Sequence, residues 1–163
     1  MMGTTHVLFS LLIYFLLWRL NLIAIEGLSL IFIVIGSILP DIDHPNGLIY
    51  QFLSLPEWLV KGITSLDRHR GKTHTLWAAI VVLTSSILLF NVYSKLDLIV
   101  SLMFFLGYLS HLASDSLNKT GVKWLSPVFE ITLRWKISTG SKSEKYFFYT
   151  VGILLITVMA SKK

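Results

Sequence analysis

Residues 29–47, SLIFIVIGSILPDIDHPNG, carry an uncharged apolar run directly into an acid-rich turn. Pro40 ends the run because proline cannot continue a helix, and Asp41, Asp43 and His44 follow at once. Carboxylate oxygens and imidazole nitrogens are ligands that suit zinc, manganese and iron, and two carboxylates in one short loop can bridge two ions. An acid-rich turn that only caps a helix is the alternative. The stretch therefore predicts an apolar helix that ends at a polar site, and a divalent metal would explain that site.

The composition indicates a membrane protein. Hydrophobic residues make up 54% of the 163 residues, charged residues make up only 14%, and the mean hydropathy is +0.71. We expect residues 1–163 to form a single integral-membrane domain, because this length suits one helix bundle. The chain has no cysteine, which excludes disulfides, thiolate ligands and thiol nucleophiles. Only nitrogen and oxygen ligands remain for a metal.

Apolar runs predict an all-α fold, a polytopic membrane bundle of about five helices. Residues 48–63, LIYQFLSLPEWLVKGI, fit a helix lying in the membrane interface better than one that spans it. Residues 138–145, STGSKSEK, are typical of a mobile surface loop. No basic region precedes the first apolar run, so we expect no cleaved signal peptide. The predicted membrane helices are 6–25, 27–40, 74–94, 97–117 and 145–160.

Alternate crossing of the membrane brings the ionisable ends of these helices to one side. The first helix leaves that side near His6, and the second returns to it at Asp41. The third leaves at His74, and the fourth returns at His111 and Asp115. All five histidines of the chain then lie on this side or in its loops. This convergence predicts a functional site at one membrane face.

Basic residues gather on the same side. Ten of the fourteen lysines and arginines would lie there, and seven against four remain when Arg68, Arg70 and Lys72 are set aside for chemistry. By the positive-inside rule this side faces the cytoplasm. Topology and anionic lipid headgroups therefore explain the net charge of +5, and nothing in the sequence indicates a nucleic-acid partner. We expect a multi-pass protein of the cytoplasmic (inner) membrane whose site faces the cytoplasm.

The motif HLASD supplies metal-ligand types at the end of the fourth membrane helix. His111 and Asp115 are four residues apart, so on a helix they share a face and can close on one ion. Such ionisable groups near a membrane helix end are costly unless something compensates their charge. A His–Asp hydrogen bond that ties two helices together is the alternative. His6, at the start of the first helix, faces the same side and is a further candidate ligand.

The motif DRHRGKTH, residues 67–74, combines imidazoles with cations. His69 and His74 lie on either side of a glycine and can approach a common centre. Arg68 and Arg70 could hold an anionic substrate such as a phosphate. An ordinary basic loop attracted to acidic lipids is the alternative for these cations.

Together these motifs resemble a known family. His6, LPDIDH, HRGKTHT and GYLSHLASDSLNKTGVKWLSP follow the order and spacing of the LexA-binding, inner-membrane-associated family of metal-dependent hydrolases, over residues 6–128. The helical HLASD is also similar to the zinc phospholipase C and P1 nuclease group, an all-helical fold that hydrolyses phosphodiesters with clustered zinc ions. The resemblance implies a metal-dependent hydrolase at the membrane. The matching positions are His6, Asp41, Asp43, His44, His69, His74, His111 and Asp115.

The first functional hypothesis is therefore a membrane-embedded hydrolase that cleaves an ester with a metal-activated water. About one to three divalent ions would bind, with zinc expected first and manganese or iron as alternatives. A phosphoester is the favoured substrate, and membrane lipids are the expected partners. Arg68 and Arg70 would stabilise charge in the transition state, while Asp43 would act as the general base or orient a ligand.

The second hypothesis is a non-enzymatic regulatory or scaffold module in the membrane. Its metal would be structural, and its basic loops would recruit a cytosolic protein partner. A closed, fully protein-ligated ion would favour this hypothesis. A metal transporter is disfavoured, because the polar residues cluster at one face instead of lining a path through the membrane. The sequence leaves the oligomeric state open.

Overall fold

The computed structural model describes residues 1–65 and 71–161. These residues form seven α-helices and no β-strand, which confirms the all-α prediction. A 3-10 turn, Leu39–Asp43, follows the second helix, and a π-helix, Ile87–Tyr93, continues the fifth. The helices are α1 (Gly3–Arg19), α2 (Gly27–Ile38), α3 (Leu48–Leu53), α4 (Glu57–Thr64), α5 (Leu76–Ser86), α6 (Leu98–Ser116) and α7 (Lys142–Ala160).

Three helical stretches within the described ranges are long and apolar enough to cross a membrane. They are Leu76–Tyr93, Leu98–Ser116 and Lys142–Ala160, which match the third, fourth and fifth predicted membrane helices. Helix α1 has 17 residues and α2 has 12, so both are shorter than a typical span of about 20 residues. Helices therefore form at all five predicted positions, and membrane crossing by α1 and α2 stays a prediction.

The predicted interfacial helix over residues 48–63 is two short helices, α3 and α4. Ser54 adopts a left-handed conformation with φ of 50°, which ends α3, and Pro56 stands directly before α4. Because proline lacks a backbone N–H and restricts the residue before it, one continuous helix cannot form there. The prediction of a single helix was wrong. Phe52 and Trp58 remain 74% and 72% exposed, as expected of a segment that faces the membrane interface.

The predicted surface loop over residues 138–145 is partly helical. Helix α7 begins at Lys142 because the Ser141 side chain accepts a hydrogen bond from the main-chain nitrogen of Glu144. The Glu144 side chain is buried and accepts a hydrogen bond of 2.6 Å from the main-chain nitrogen of Met2. The start of α7 is therefore attached to the start of α1, and the loop prediction was wrong for these residues.

Helices α2 and α6 approach until their backbones touch. A Cβ added to Gly36 would lie 2.1 Å from the carbonyl oxygen of Phe104, and one added to Gly107 would lie 2.1 Å from the carbonyl oxygen of Ile33. Close approach through small residues is a common way for membrane helices to associate, because lipid offers no hydrophobic driving force between them. Five serines of these two helices are also buried: Ser29, Ser37, Ser101, Ser110 and Ser114.

Helix α6 packs against α1, α2 and α5, while α7 packs on the outer side of α1. Tyr14, Ile33 and Met103 form a buried apolar cluster between α1, α2 and α6, and Leu12 and Val151 join α1 to α7. In this arrangement α1 and α5 begin where α2 and α6 end. The side that alternate crossing predicted is therefore one end of the bundle.

Replacing Gly107 with alanine should destabilise the bundle. Alanine normally stabilises a helix relative to glycine by about 1 kcal/mol, but here its methyl group would meet the Ile33 carbonyl oxygen. We expect a net loss of about 1–3 kcal/mol, typical of overpacking, measured as a lower midpoint of thermal unfolding in detergent. Gly62→Ala is the matched control, because nothing lies within 4 Å of a Cβ at that helical position. Equal midpoints for both variants would contradict the close contact.

Candidate metal centre

Five ionisable side chains from four segments meet at the end of the bundle. Helix α1 and the turns beside α2 and α5 each supply one, and α6 supplies two. Among the described residues they form two groups that share one histidine, and the candidate ligand atoms of each group lie within 4.8 Å of one another. All five residues are buried. The groups are His6, His111 and Asp115, and Asp41, His74 and His111.

The two groups are joined by short distances between ligand atoms. Nε2 of His74 lies 3.2 Å from Nε2 of His111. Oδ1 of Asp41 lies 3.6 Å from Nε2 of His111 and 3.8 Å from Nε2 of His74. Asp115 faces His6 through Oδ1, at 3.4 Å from Nε2, and its Oδ2 lies 3.8 Å from Nε2 of His74. The five side chains therefore form one continuous cluster.

These separations fit the spacing of ligands around one or more metal ions. Two ligands of a tetrahedral zinc ion, each about 2.0–2.1 Å from the metal, stand about 3.3 Å apart. The pairs in the cluster are separated by 3.2–4.0 Å. Three imidazoles and two carboxylates, without sulfur, suit zinc, manganese or iron. The amino nitrogen of Met1 also donates to Asp115.

A main-chain carbonyl determines which nitrogen of His111 faces the cluster. Nδ1 of His111 lies 2.7 Å from the carbonyl oxygen of Ser37. Because a carbonyl oxygen only accepts hydrogen bonds, Nδ1 carries a proton, and in the neutral ring Nε2 carries the lone pair. Ser37 reaches this position because Gly36 and Gly107 let α2 approach α6. The contact between the two helices therefore orients the histidine shared by both groups.

Ser114 orients His6 in the same way. Nδ1 of His6 lies 2.6 Å from Oγ of Ser114. The Ser114 hydroxyl donates its proton to the carbonyl oxygen of His111 at 2.9 Å, so its oxygen accepts from Nδ1 of His6. Nε2 of the neutral His6 ring then presents its lone pair toward Asp115. The ring of His6 stacks on that of His111, with centroids 3.7 Å apart.

Thr73 and Asp43 contact the Nδ1 side of the His74 ring, opposite the Nε2 atom that faces the cluster. The Thr73 hydroxyl donates to Oδ2 of Asp43 at 2.8 Å and lies 3.0 Å from Nδ1 of His74. Oδ2 of Asp43 is itself 3.4 Å from that nitrogen. Since the hydroxyl proton points to the carboxylate, both oxygens accept from a protonated Nδ1. Tyr108 of α6 donates to the Thr73 carbonyl oxygen and attaches this turn to the bundle.

These contacts give the cluster the character of a metal site. With protons on the Nδ1 atoms, Nε2 of His74 and Nε2 of His111 face each other at 3.2 Å as two lone pairs, which repel unless a positive charge lies near them. A divalent cation would supply that charge. An additional proton on one ring, or the amino group of Met1 that donates to Asp115, is the alternative. Metal-ligating histidines commonly donate their far N–H to a carbonyl or a carboxylate, as these rings do. The residues present therefore fit a divalent metal.

Two predicted ligands from the acid-rich turn lie outside both groups of described ligands. The Asp43 contacts favour the orienting role that the sequence left open, and its roles as ligand and general base stay predictions. Nδ1 of His44 accepts from the main-chain nitrogen of Asn46 at 3.1 Å, and His44 lines a cavity beside Asp41. Its role as ligand also stays a prediction. Three predicted site residues fall outside the described residues: Arg68, His69 and Arg70.

Asp43 also influences the neighbouring helix α3. Burial and, to a smaller extent, the Asp43 carboxylate raise the pKa of Tyr50. The Tyr50 hydroxyl therefore keeps its proton at neutral pH and donates to the carbonyl oxygen of Ile42. This bond holds the 3-10 turn that carries Asp41 against α3.

The sequence analysis missed the groups that orient the three rings. Thr73 and Ser114 directly precede predicted ligands, and a hydroxyl next to a metal-ligating residue is a usable signal. Ser37 acts through its carbonyl oxygen, which every residue has, so its side chain gives no signal. Gly36 and Gly107 are recognisable only as small residues in apolar helices, a pattern typical of close helix contacts.

Comparison with known proteins identifies a family whose description names a membrane location and no reaction. The profile of the family described as YdjM inner membrane protein matches residues 1–163. Inner membrane protein YdjM of Escherichia coli is 34% identical over 105 residues, which cover 63% of this chain and 48% of that protein. The protein of the same name from Shigella flexneri gives the same values. The alignment thus spans about half the length of these curated relatives, and no solved structure matches the chain.

Replacing His111 with alanine should remove bound metal, because His111 belongs to both groups. The measurement is elemental mass spectrometry of the detergent-purified protein after incubation with zinc and gel filtration. Glu57→Ala is the control, since Glu57 is exposed and belongs to neither group, and we expect it to retain wild-type zinc. Wild-type zinc in the His111→Ala protein would rule out these groups as the metal centre.

Replacing Thr73 with valine should weaken metal binding without abolishing it. Valine keeps the shape of threonine but removes the hydroxyl between Asp43 and His74, so the ring loses part of its orientation. We expect the dissociation constant for zinc, measured by chelator competition, to rise about tenfold or more. Thr84→Val is the control, because the Thr84 hydroxyl bonds only to carbonyl oxygens of its own helix. An unchanged constant for Thr73→Val would show that these contacts do not act on the metal.

Proposed function

The chain belongs to the YdjM family of inner membrane proteins, and from that premise we propose that it is a membrane-embedded, metal-dependent hydrolase of phosphoesters. One observation carries the proposal: the Nε2 atoms of three buried histidines face two buried carboxylates, while the far sides of the rings are hydrogen-bonded. Burying so many ionisable groups is costly without a compensating ion. A divalent metal bound by these side chains would offset that cost.

Family membership supports only part of the resemblance noted in the sequence. It supports an inner membrane protein. The likeness to LexA-binding hydrolases and to the phospholipase C and P1 nuclease group stays a prediction. The hydrolase proposal therefore depends on the geometry of the site and not on the names of the relatives.

The residues of the site would have different roles in the reaction. A bound divalent cation supplies Lewis acidity and lowers the pKa of water toward neutrality. The cluster would hold one or more such ions through His6, His74, His111 and Asp115. Asp41 belongs to the cluster and also lines the open cavity, so it is the carboxylate closest to an incoming substrate. Asp43 acts through His74 as a positioning residue.

A phosphoester of the membrane is the substrate class that the surroundings favour. The cluster lies at the ends of apolar helices that are long enough to span a bilayer, close to the expected level of lipid headgroups. Lys72 is the first residue of the 3-10 turn that carries His74, and Arg68 and Arg70 precede this turn in sequence. Cations of this kind stabilise the charge of a phosphoryl group during displacement. Lipid substrates would reach the site laterally from the bilayer.

A structural metal centre in a non-enzymatic membrane module is the second candidate. The observation that favours it is burial, because the side chains of His6, His74 and His111 have no exposed surface and closed sites are typical of structural metals. The cavity at Asp41 argues for the hydrolase, since it gives solvent and substrate a route to the cluster. In the structural case the basic loops would bind a cytosolic protein partner.

Turnover should depend on the cluster and on metal. We expect the zinc-loaded wild-type protein to hydrolyse bis(p-nitrophenyl) phosphate or phospholipid in mixed micelles, and Asp115→Asn to lose at least about a hundredfold of that rate. Removal of metal by a chelator should abolish turnover, and zinc or manganese should restore it. Glu57→Gln is the control, because the Glu57 side chain is exposed and belongs to neither ligand group. Metal retained with no turnover on any phosphoester would favour the structural module.

The site is proposed to face the cytoplasm, following the distribution of basic residues. The native chain has no cysteine, so single cysteines report topology cleanly. In right-side-out membrane vesicles, a membrane-impermeant maleimide should label Ser94→Cys and should label Lys136→Cys only after permeabilisation. The opposite labelling pattern would place the site on the outer face.

A further inference from the structure

A cavity of about 340 Å³ opens directly beside the cluster of histidine and aspartate side chains. Asp41 belongs to both, because it lines the cavity and its Oδ1 lies 3.6 Å from Nε2 of His111. The volume is within the range of sites that hold small molecules, about 300–1,000 Å³. A group bound in the cavity would therefore be adjacent to any bond broken at the cluster.

Apart from the Asp41 carboxylate, the polar side chains that line the cavity are amides, hydroxyls and an imidazole. Amides come from Asn46 and Gln51, hydroxyls come from Thr4 and Thr139, and His44 adds an imidazole. Within residues 1–65 and 71–161, the lining includes no lysine, arginine, phenylalanine, tyrosine or tryptophan. The rest of the described lining, apart from Asp41, is methionine, glycine and leucine.

This lining discriminates between chemical classes of headgroup. Amides and hydroxyls both donate and accept hydrogen bonds, so they match an uncharged group that carries hydroxyls. A quaternary ammonium is normally bound by a cage of aromatic rings, and an additional anionic group is normally bound by arginine or lysine. The described lining offers neither. The amides of Asn46 and Gln51 and the hydroxyls of Thr4 and Thr139 favour recognition by hydrogen bonds to neutral hydroxyls.

A tight turn keeps the amides next to Asp41. The main-chain nitrogen of Gly47 donates to the carbonyl oxygen of His44 at 2.8 Å, and a Cβ on Gly47 would lie 2.5 Å from the carbonyl oxygen of Asp41. The chain therefore folds back on itself between Asp41 and α3, and α3 carries Gln51 to the cavity. Asn46, Gln51 and the Asp41 carboxylate thus belong to one local structure.

We propose that this cavity binds the uncharged, hydroxyl-bearing headgroup of a glycerophospholipid, an inference that rests on the proposed hydrolase function and names its substrate class. The phosphate of such a lipid would lie at the cluster, and its acyl chains would remain in the bilayer. Only the headgroup projects away from the membrane, toward the end of the bundle where the cavity lies. Phosphatidylglycerol has this headgroup, whereas phosphatidylcholine carries a quaternary ammonium.

The test compares these two lipids in mixed micelles with the full-length, zinc-loaded protein. We expect kcat/KM for phosphatidylglycerol to exceed that for phosphatidylcholine by about tenfold or more, the effect of one or two net hydrogen bonds. The double variant Asn46→Leu, Gln51→Leu should lose this preference through a higher KM. Its zinc content, measured by elemental mass spectrometry, should stay at the wild-type level, because neither residue belongs to the two ligand groups. Ser94→Leu, at an exposed position far from the cavity, is the control and should keep the preference.

Equal rates on the two lipids in the wild-type protein, or an unchanged preference in the double variant, would overturn the proposal and leave the hydrolase function intact. If the wild-type protein cleaves neither lipid, direct binding decides. Glycerophosphoglycerol and glycerophosphocholine, titrated by calorimetry, isolate headgroup recognition from catalysis. Binding of only the first, lost in the double variant, would support the cavity while the hydrolase proposal fails. Binding of both or of neither would overturn the cavity proposal.

Discussion

The close approach of α2 and α6 at Gly36 and Gly107 is the constraint on which the site depends. Only glycine lets the backbones of α2 and α6 meet there, because a Cβ on either residue would lie 2.1 Å from a carbonyl oxygen of the other helix. The contact brings the Ser37 carbonyl oxygen to Nδ1 of His111 and fixes the face that this ring presents. It also sets the distance between Asp41, which follows α2, and the two ligands on α6. The packing of α2 against α6 therefore determines the geometry of the site.

The orientation of the three imidazole rings determines which nitrogen atoms face the inside of the buried cluster. Imidazoles and carboxylates in an apolar bundle would be expected to neutralise one another through direct hydrogen bonds. Here the Nδ1 protons of His6, His74 and His111 are directed away from the cluster, toward a serine hydroxyl, an Asp–Thr pair and a carbonyl oxygen. The inner nitrogens are thereby left as electron-pair donors, which is the arrangement that metal coordination requires.

Asp41 differs from the histidines of the cluster in its exposure. The histidine side chains are fully enclosed, which suits tight retention of a metal, whereas 12% of the Asp41 side chain is exposed at the cavity. A structural centre has no need of such an opening, and a hydrolase does. The amides and hydroxyls of the cavity would supply the basis for selecting one headgroup over another. Asp41 would thus adjoin both the site of bond cleavage and the site of headgroup recognition.

The sequence by itself determined the all-α class, the positions of the apolar helices and the end of the bundle where the ionisable residues gather. It could do so because the order of apolar runs decides at which end of a helix each residue lies, whatever the packing. It did not determine the break between α3 and α4 or the early start of α7, which depend on the backbone conformation at Ser54 and on capping by Ser141. Only the tertiary structure decided that Asp41 faces the cluster while Asp43 stands behind His74. The physical reason is that neighbours in a tight turn point in different directions, and which direction meets a ligand depends on helix rotation and on backbone contacts between residues far apart in the chain.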